Sequence, residues 1–359
     1  MNVKKLLKLT AIALASALAL TAGTASADKL KVGFIYLGPP GDHGWTYAHD
    51  QGRLMLEKEL GDQVQTTYVE NVPEGPDSER AIAKLAETGH ELIFTTSFGY
   101  MEPTLKVAKR FPNVKFEHAT GYKDSDNVST YVARFYEGRY VQGVIAGKVS
   151  KTNTIGYIAS FPIPEVVRGI NAFLLGAHSV NPDIKVKVVW VYTWFDPPKE
   201  ADAAKVLMDQ GADIITQHTD STAALQAAAE RGLYAFGQAS DMIHFGPKTQ
   251  LTANVNNWGP YYIARAKAVL DGTWSTANTW DGMAEGMVVM APFTNMPADV
   301  AALATKTAES IRSGDLHPFT GPIRNQAGDV VVPAGAVADD GMLAGMKFYV
   351  EGVDDKLPE

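Results

Sequence analysis

The stretch Lys31-Val32-Gly33-Phe34-Ile35-Tyr36, followed by the turn Leu37-Gly38-Pro39-Pro40-Gly41-Asp42-His43-Gly44 and then by Trp45, decides the fold. A short apolar run bounded by glycine and proline reads as a buried strand, and the segment from Trp45 through Leu60 reads as a helix. Strand, turn and helix in that order are the first half of a βαβ unit. The alternation continues with strands over 64–69, 92–96, 114–118 and 128–133 and helices over 78–88 and 103–110. A helix over 137–149 completes this first lobe. A second series follows, with strands over 155–159, 186–191, 213–217 and 234–237 and helices over 166–179, 201–210 and 223–231.

The pattern predicts an α/β protein of two doubly wound parallel-sheet lobes joined by a hinge. Segments 251–255, 260–270 and 287–290 read as passing back and forth between the lobes. The expected division is 28–149 plus about 250–284 for lobe 1, and 150–249 plus about 285–359 for lobe 2. No internal sequence repeat supports the pairing of lobes, which rests on element order.

Residues 1–27 are set apart as a signal peptide. Lys4, Lys5 and Lys8 precede an apolar run from Leu9 to Leu20, and Ala25-Ser26-Ala27 supplies a small-residue cleavage site, so the mature chain is expected to start at Asp28. The apolar run is shorter than the roughly 20 residues of a spanning helix. The chain has no cysteine, which excludes disulfides, thiolate chemistry and a lipid-modified cysteine. The expected address is therefore the periplasm, as a free protein and not a lipoprotein.

The formal charge is −8, and it becomes more negative once the three leader lysines are gone. Such a surface repels phosphate backbones, so no nucleic-acid partner is expected. Gly-x-Ser-x-Gly, a phosphate loop and His-Glu-x-x-His are absent. The eight histidines are scattered without helical metal-ligand spacing, and neither a metal nor another cofactor is expected. Gly38, Gly41 and Gly44 hint at a dinucleotide loop, but Pro39 and Pro40 remove amide donors and the Gly-x-Gly core is missing.

Candidate binding residues lie where strands end, because ligands of open α/β sheets bind outside the carboxyl ends of the strands. Trp45 stands at the head of the first helix, and Trp194 occupies the equivalent loop of lobe 2 within Thr193-Trp194-Phe195-Asp196-Pro197. Either alone could be a core aromatic. One per lobe points to a clamp on a flat, polar-edged molecule. Stacking contributes roughly 1–3 kcal/mol per base, and two such faces supply much of the roughly 8 kcal/mol of a micromolar affinity.

Carboxylates Asp42, Asp196, Asp220 and Asp241 sit in strand-end loops and can accept from ring N–H and amine groups. Asp196-Pro197-Pro198 reads first as a helix N-cap with proline in the first turn, and Asp220 has a similar reading ahead of Thr222. Asp241 has no helix pattern after it and reads as a ligand group. Phe98-Gly99 follows the third strand, where glycine admits close backbone approach, or simply turns the chain before Pro103. Trp258, beside Asn256 and Asn257, either lines the cleft or starts a helix from within the core.

At these residues the chain resembles the basic-membrane-protein family of substrate-binding proteins, whose purine-nucleoside receptors serve ABC importers. Asp42, Trp45, Thr46 and Gly52 stand where the family has Asp-x-x-Phe-Asn and a helical glycine. Thr193–Pro197 is similar to the family's Ser-Phe-Asn-Asp-Pro, and Gly211-Ala212-Asp213-Ile214-Ile215 to its Gly-Ala-Asp-Val-Ile. Val180-Asn181-Pro182-Asp183-Ile184 is also typical. The resemblance implies a type I periplasmic binding protein, a purine ligand sandwiched by Trp45 and Trp194, a membrane permease as partner, and no catalysis. A receptor that opens and closes is expected to be a monomer.

Two departures bear on the ligand. The family's Gly-Val-Asp-x-Asp-Gln is Gly237-Gln238-Ala239-Ser240-Asp241-Met242 here, and a family lysine is replaced by Asn256. In the family those polar groups hold the ribose. Their loss beside two enlarged rings implies a free nucleobase, with adenine as the first candidate. The competing expectations are a nucleoside receptor of the same fold, an exported nucleoside-processing enzyme, or a sensory module. A nucleoside hydrolase would need an aspartate cluster at the first strand, where Asp42 stands alone.

Overall fold

In the computed structural model, which describes residues 28–358, β1 (Leu30–Ile35) lies between β2 (Val64–Val69) and β3 (Leu92–Thr95), parallel to both. β4 (Lys115–Ala119) and β5 (Val128–Ala133) extend the sheet beyond β3, again parallel. The strand order 2-1-3-4-5 reverses direction at β1, and a crevice opens there because the loops after β1 and β3 turn to opposite faces. Helices α1 (Gly44–Leu60), α2 (Pro76–Glu87) and α3 (Met101–Arg110) cover this sheet.

The second sheet repeats the plan. β6 (Thr154–Ala159) lies between β7 (Lys185–Trp190) and β8 (Ile214–Gln217), followed by β9 (Tyr234–Ala239) and β10 (Gln250–Asn256). Its switch point falls between β6 and β8. Both lobes thus carry a crevice at the same topological place. The expected two-lobe α/β architecture is the one observed.

The boundaries differ from expectation in two places. Helix α4 (Phe135–Val149), expected to close lobe 1, packs lengthwise on α5 (Pro164–His178) of lobe 2. A Cβ on Gly143 would lie 1.9 Å from the Phe173 carbonyl oxygen, and one on Gly176 would lie 2.1 Å from that of Tyr140. The two helix backbones touch because both contact positions lack a side chain. The chain therefore crosses to lobe 2 at about Arg134. Strand β10, also expected in lobe 1, pairs with β9 in the second sheet, and the return crossing lies at Asn257–Trp258.

Three helices remain besides the tail. Of these α6 (Pro197–Asp209) and α7 (Ala223–Glu230) belong to lobe 2, while α8 (Gly259–Leu270) packs on α1 of lobe 1. β11 (Asn278–Asp281) joins the edge of the first sheet beside β5, and the third crossing leads to β12 (Val288–Met290), antiparallel to β10. α9 (Ala298–Ser313) then packs on α4, and the hairpin β13 (Ile323–Arg324) with β14 (Val330–Val332) precedes α10 (Asp340–Ala344). Glu137 Oε2 accepts from the Met283 N–H at 2.6 Å and so ties the first crossing to the third. Burial pushes that carboxyl up to about 7, against the lowering effect of the Met283 N–H. The expected leader, residues 1–27, lies outside the described residues.

Candidate ligand-binding site

The two switch points face each other across a small cavity, with about 40 Å³ open to the centre of a water-sized molecule. Lobe 1 contributes Leu37, Trp45, Ser97, Phe98 and Thr120; lobe 2 contributes Glu165, Trp194, His218, Thr219, Asp220 and Gln238. A wider outer chamber, with about 480 Å³ open to the centre of a water-sized molecule, adjoins it and shares Leu37, Trp194 and Asp220. Its mouth carries the exposed rings of Tyr192 and Phe195.

The Trp45 indole is held by its own N–H, which donates to the Thr96 carbonyl at 2.6 Å. Behind it stand His49, edge-on at 4.4 Å between centroids, and Trp258 at 5.5 Å. His49 stacks on Trp258 at 4.8 Å and is buried, which drives its imidazole pKa well below the usual range. The wall behind Trp45 is thus rigid and uncharged. Trp194 leans on Phe161 at 5.0 Å, and its ring faces the same cavity from lobe 2.

The lobes are closed on each other through the head of α1. His43, at the N-cap position, gives no side-chain cap. Instead the Gly44 N–H donates to Ser240 Oγ at 2.8 Å and the Trp45 N–H to Asp220 Oδ1 at 2.7 Å, both across the cleft. Two of the helix's free amides therefore find protein acceptors only when lobe 2 is docked. Gly44 has φ +81°, and a Cβ there would lie 2.7 Å from the Asp220 carbonyl oxygen, so glycine is needed for this approach. Ser240→Ala removes one cap and is expected to weaken ligand binding by about 1 kcal/mol, roughly fivefold, in a calorimetric titration.

Asp220 is expected to make closure sensitive to pH. Burial pushes its carboxyl up to about 8, with the Trp45 N–H opposing and Glu200 adding to the rise. In an opened cleft it returns towards its ordinary 3.8, so closing takes up a proton between these limits. The closed form is then favoured at low pH and loses that advantage as pH rises towards 8. Affinity is expected to fall over this interval and to level off above it. Titrations of Asp220→Asn across the same range should be flat, and an unchanged slope would remove Asp220 as the cause.

The floor of the cavity in lobe 2 is polar. His218 Nε2 lies 3.4 Å from Glu165 Oε1, and burial lowers the imidazole pKa against the raising effect of that carboxylate. Arg139, wholly buried on α4, donates through Nη1 to Gln142 Oε1 at 3.1 Å and through Nη2 to Gln238 Oε1. Glu165 and His218 carried no motif in the sequence, and Gln238 stood within the Gly237–Met242 segment without being singled out. They meet only because the first turn of α5 and the ends of β8 and β9 converge, so element ends beside the switch point were the one available signal.

Of the nine candidates named from sequence, Trp45, Trp194, Phe98 and Asp220 line the cavity. The other five do not line it. Asp42 is exposed and pairs with its neighbour His43 at 2.9 Å. Gly99 gives its N–H to Glu74 Oε1 at 2.8 Å, holding the loop after β3. Asp241 accepts from the Ile243 N–H and Gln250 Nε2, so it braces the turn after β9 where a ligand role had been expected. Asn256 is buried at the end of β10, with both amide atoms lacking a protein partner. Trp258 is wholly buried because α8 docks on α1 and presses the indole behind Trp45. Asp196 is the N-cap of α6, accepting from the Lys199 N–H at 3.1 Å, as its proline-rich context predicts.

Among the described residues no group of three or more His, Asp or Glu side chains is placed to hold a metal ion. Among them no helix is long and apolar enough to cross a membrane.

The chain is 69% identical over 332 residues to a purine-binding protein of Brucella abortus (strain 2308), covering 92% of this chain and 95% of the relative. It is 36% identical over 337 residues to a Haloferax volcanii protein described provisionally as an ABC transporter glucose-binding protein, covering 94% and 83%. The structure of an ABC transporter solute-binding protein from Aeropyrum pernix K1 superposes with a TM-score of 0.69 at 20% identity, over 88% of this chain and 95% of that one. At that identity the likeness concerns the fold. The family model described as ABC transporter substrate-binding protein PnrA-like matches residues 29–312. Two lobes closing on a small cavity are the anatomy of a protein that captures and releases a solute, and this chain belongs to the Bmp family of PnrA-like ABC transporter substrate-binding proteins.

Proposed function

We propose that this chain captures a purine nucleobase, adenine first, between Trp45 and Trp194, and delivers it to a membrane permease from the periplasm as a monomer. The observation that carries the reading is that both indoles, one from each lobe, line one small cavity together with carboxylate and amide groups. Aromatic faces bind a planar base, and polar groups at its rim choose among bases. The 69% identical relative is a purine-binding protein, which supports the same class of ligand. The function is capture without chemistry, in line with a family of binding proteins.

Closure supplies the mechanism. A base touching both tryptophans stabilises the state in which Ser240 and Asp220 cap α1, and the permease releases the base by parting the lobes. A nucleoside is the competing ligand, because its sugar would have room in the outer chamber beyond Trp194.

The test is calorimetric titration of refolded, ligand-stripped protein, residues 28–359, with adenine, hypoxanthine, adenosine and glucose in parallel. Tight binding of adenine with little response to adenosine is the expected result. A preference for adenosine would return the site to the nucleoside receptors, and heat from glucose alone would end the purine reading.

A further inference from the structure

We infer that Arg139 is a positioning residue that fixes the polarity of the ligand site: it turns the Gln238 amide so that its NH₂ faces the bound purine, whose edge there must be a hydrogen-bond acceptor. This inference rests on the purine reading above. It concerns a residue outside the cavity lining that acts through one inside it.

Arg139 projects from α4 with no exposed surface, and Gln238, on β9, is 6% exposed and lines the cavity. The guanidinium has only donors, so the Gln238 oxygen has to meet Nη2. An amide side chain is ordinarily ambiguous between its two orientations. Here the reverse orientation would set two N–H groups against each other in a buried setting where neither reaches water. Gln142 Oε1 at 3.1 Å and Thr216 Oγ1 at 3.4 Å engage Nη1, which stops the guanidinium from turning away. No carboxylate forms an ion pair with Arg139 among the described residues, and its cationic fork is left to organise neutral oxygens. Gln238 Nε2 has no protein partner and is not sealed from solvent; it is the free end of the amide.

The consequence is selective. A locked NH₂ donates to a ring nitrogen or an oxo oxygen and cannot accept from an exocyclic amine. An amine on the ligand is directed instead to the Glu165 carboxylate, which lines the same cavity. A free glutamine would tolerate either edge. Arg139 converts a permissive side chain into a discriminating one, from behind the binding surface.

The experiment is titration with adenine and with its 1-deaza, 3-deaza and 7-deaza analogues, each of which exchanges one ring acceptor for C–H. Wild type, Gln238→Leu, Arg139→Met and Arg139→Lys are compared. In wild type one analogue is expected to lose at least tenfold against adenine. That loss disappears in Gln238→Leu, shrinks in Arg139→Met, where the amide is free to turn, and is retained in Arg139→Lys, which still offers only donors. A loss of general affinity with the analogue ratio intact would mark Arg139 as merely structural and overturn the inference. Should Arg139→Met fail to fold, the wild-type and Gln238→Leu ratios still decide, since an analogue penalty independent of Gln238 overturns the proposal. Adenine bound with no Gln238-dependent penalty leaves the purine reading standing and removes this one, whereas silence towards every purine removes both.

Discussion

On the proposed purine reading, Trp45→Ala is expected to weaken ligand binding by roughly 1–3 kcal/mol, the worth of one stacked base, which is about five- to 150-fold in affinity. Trp194→Ala acts in the same range from the other lobe. Trp45 is the more damaging position, because its removal also strips the Thr96 carbonyl of the indole donor at 2.6 Å and empties the space in front of His49 and Trp258. Phenylalanine at either position should recover most of the affinity, since it keeps a π-face without the larger ring. Trp258→Phe serves as the control: the indole is buried away from the cavity, so thermal stability falls more than affinity. If both alanine variants bound adenine within twofold of wild type, the sandwich would be wrong whatever the ligand.

Gly143→Val is expected to cost about 3 kcal/mol of folding stability or more, at the upper end of overpacking effects. Its Cβ would sit 1.9 Å from the Phe173 carbonyl oxygen, and that atom belongs to a helix backbone that has no rotamer to change. Relief requires α4 and α5 to part, which opens the core of lobe 2 from Tyr140 to Ala177. Thermal denaturation followed by circular dichroism reads the effect, and an unchanged midpoint would mean that the helices do not pack through their glycines. Because Arg139 and Gln142 ride on the same helix, variants that do fold should also bind ligand more weakly.

The architecture was legible because each βαβ unit is local. The run from Lys31 to Tyr36 is apolar enough to be a buried strand, the glycines and prolines after it stop any continuation, and the next helix begins at a definite place. Boundaries between lobes were less legible. Helix α4 has apolar residues around most of its circumference, so nothing in its pattern says which sheet it covers. The close approach of Gly143 and Gly176, residues 33 apart in the chain, settles it for lobe 2. β10 alternates polar Gln250, Thr252, Asn254 and Asn256 with apolar Leu251, Ala253 and Val255 yet is buried on both faces, and it declares its lobe only through pairing with β9.

The site divides in the same way. Trp45, Trp194 and Phe98 could be found because large aromatics in strand-end loops are conspicuous and the rule for crevices is topological. Asp241 and Asp220 occupy similar loops in sequence, yet one carboxylate braces a turn and the other faces the cavity, since Gln250 lies within reach of the first and Trp45 of the second. Glu165 and His218 had no spacing to betray them, and Gln238 sat in a recognised segment whose aspartate positions drew the attention. Sequence by itself therefore determined the element order, the parallel sheets and the two aromatic walls, all consequences of local pattern and chain connectivity. Tertiary structure alone decided which lobe owns each crossing element, which carboxylates face the cavity, and that the head of α1 is capped from the opposite lobe. Those outcomes depend on contacts between residues far apart in the chain, and the free energy of a buried polar group depends on what stands beside it.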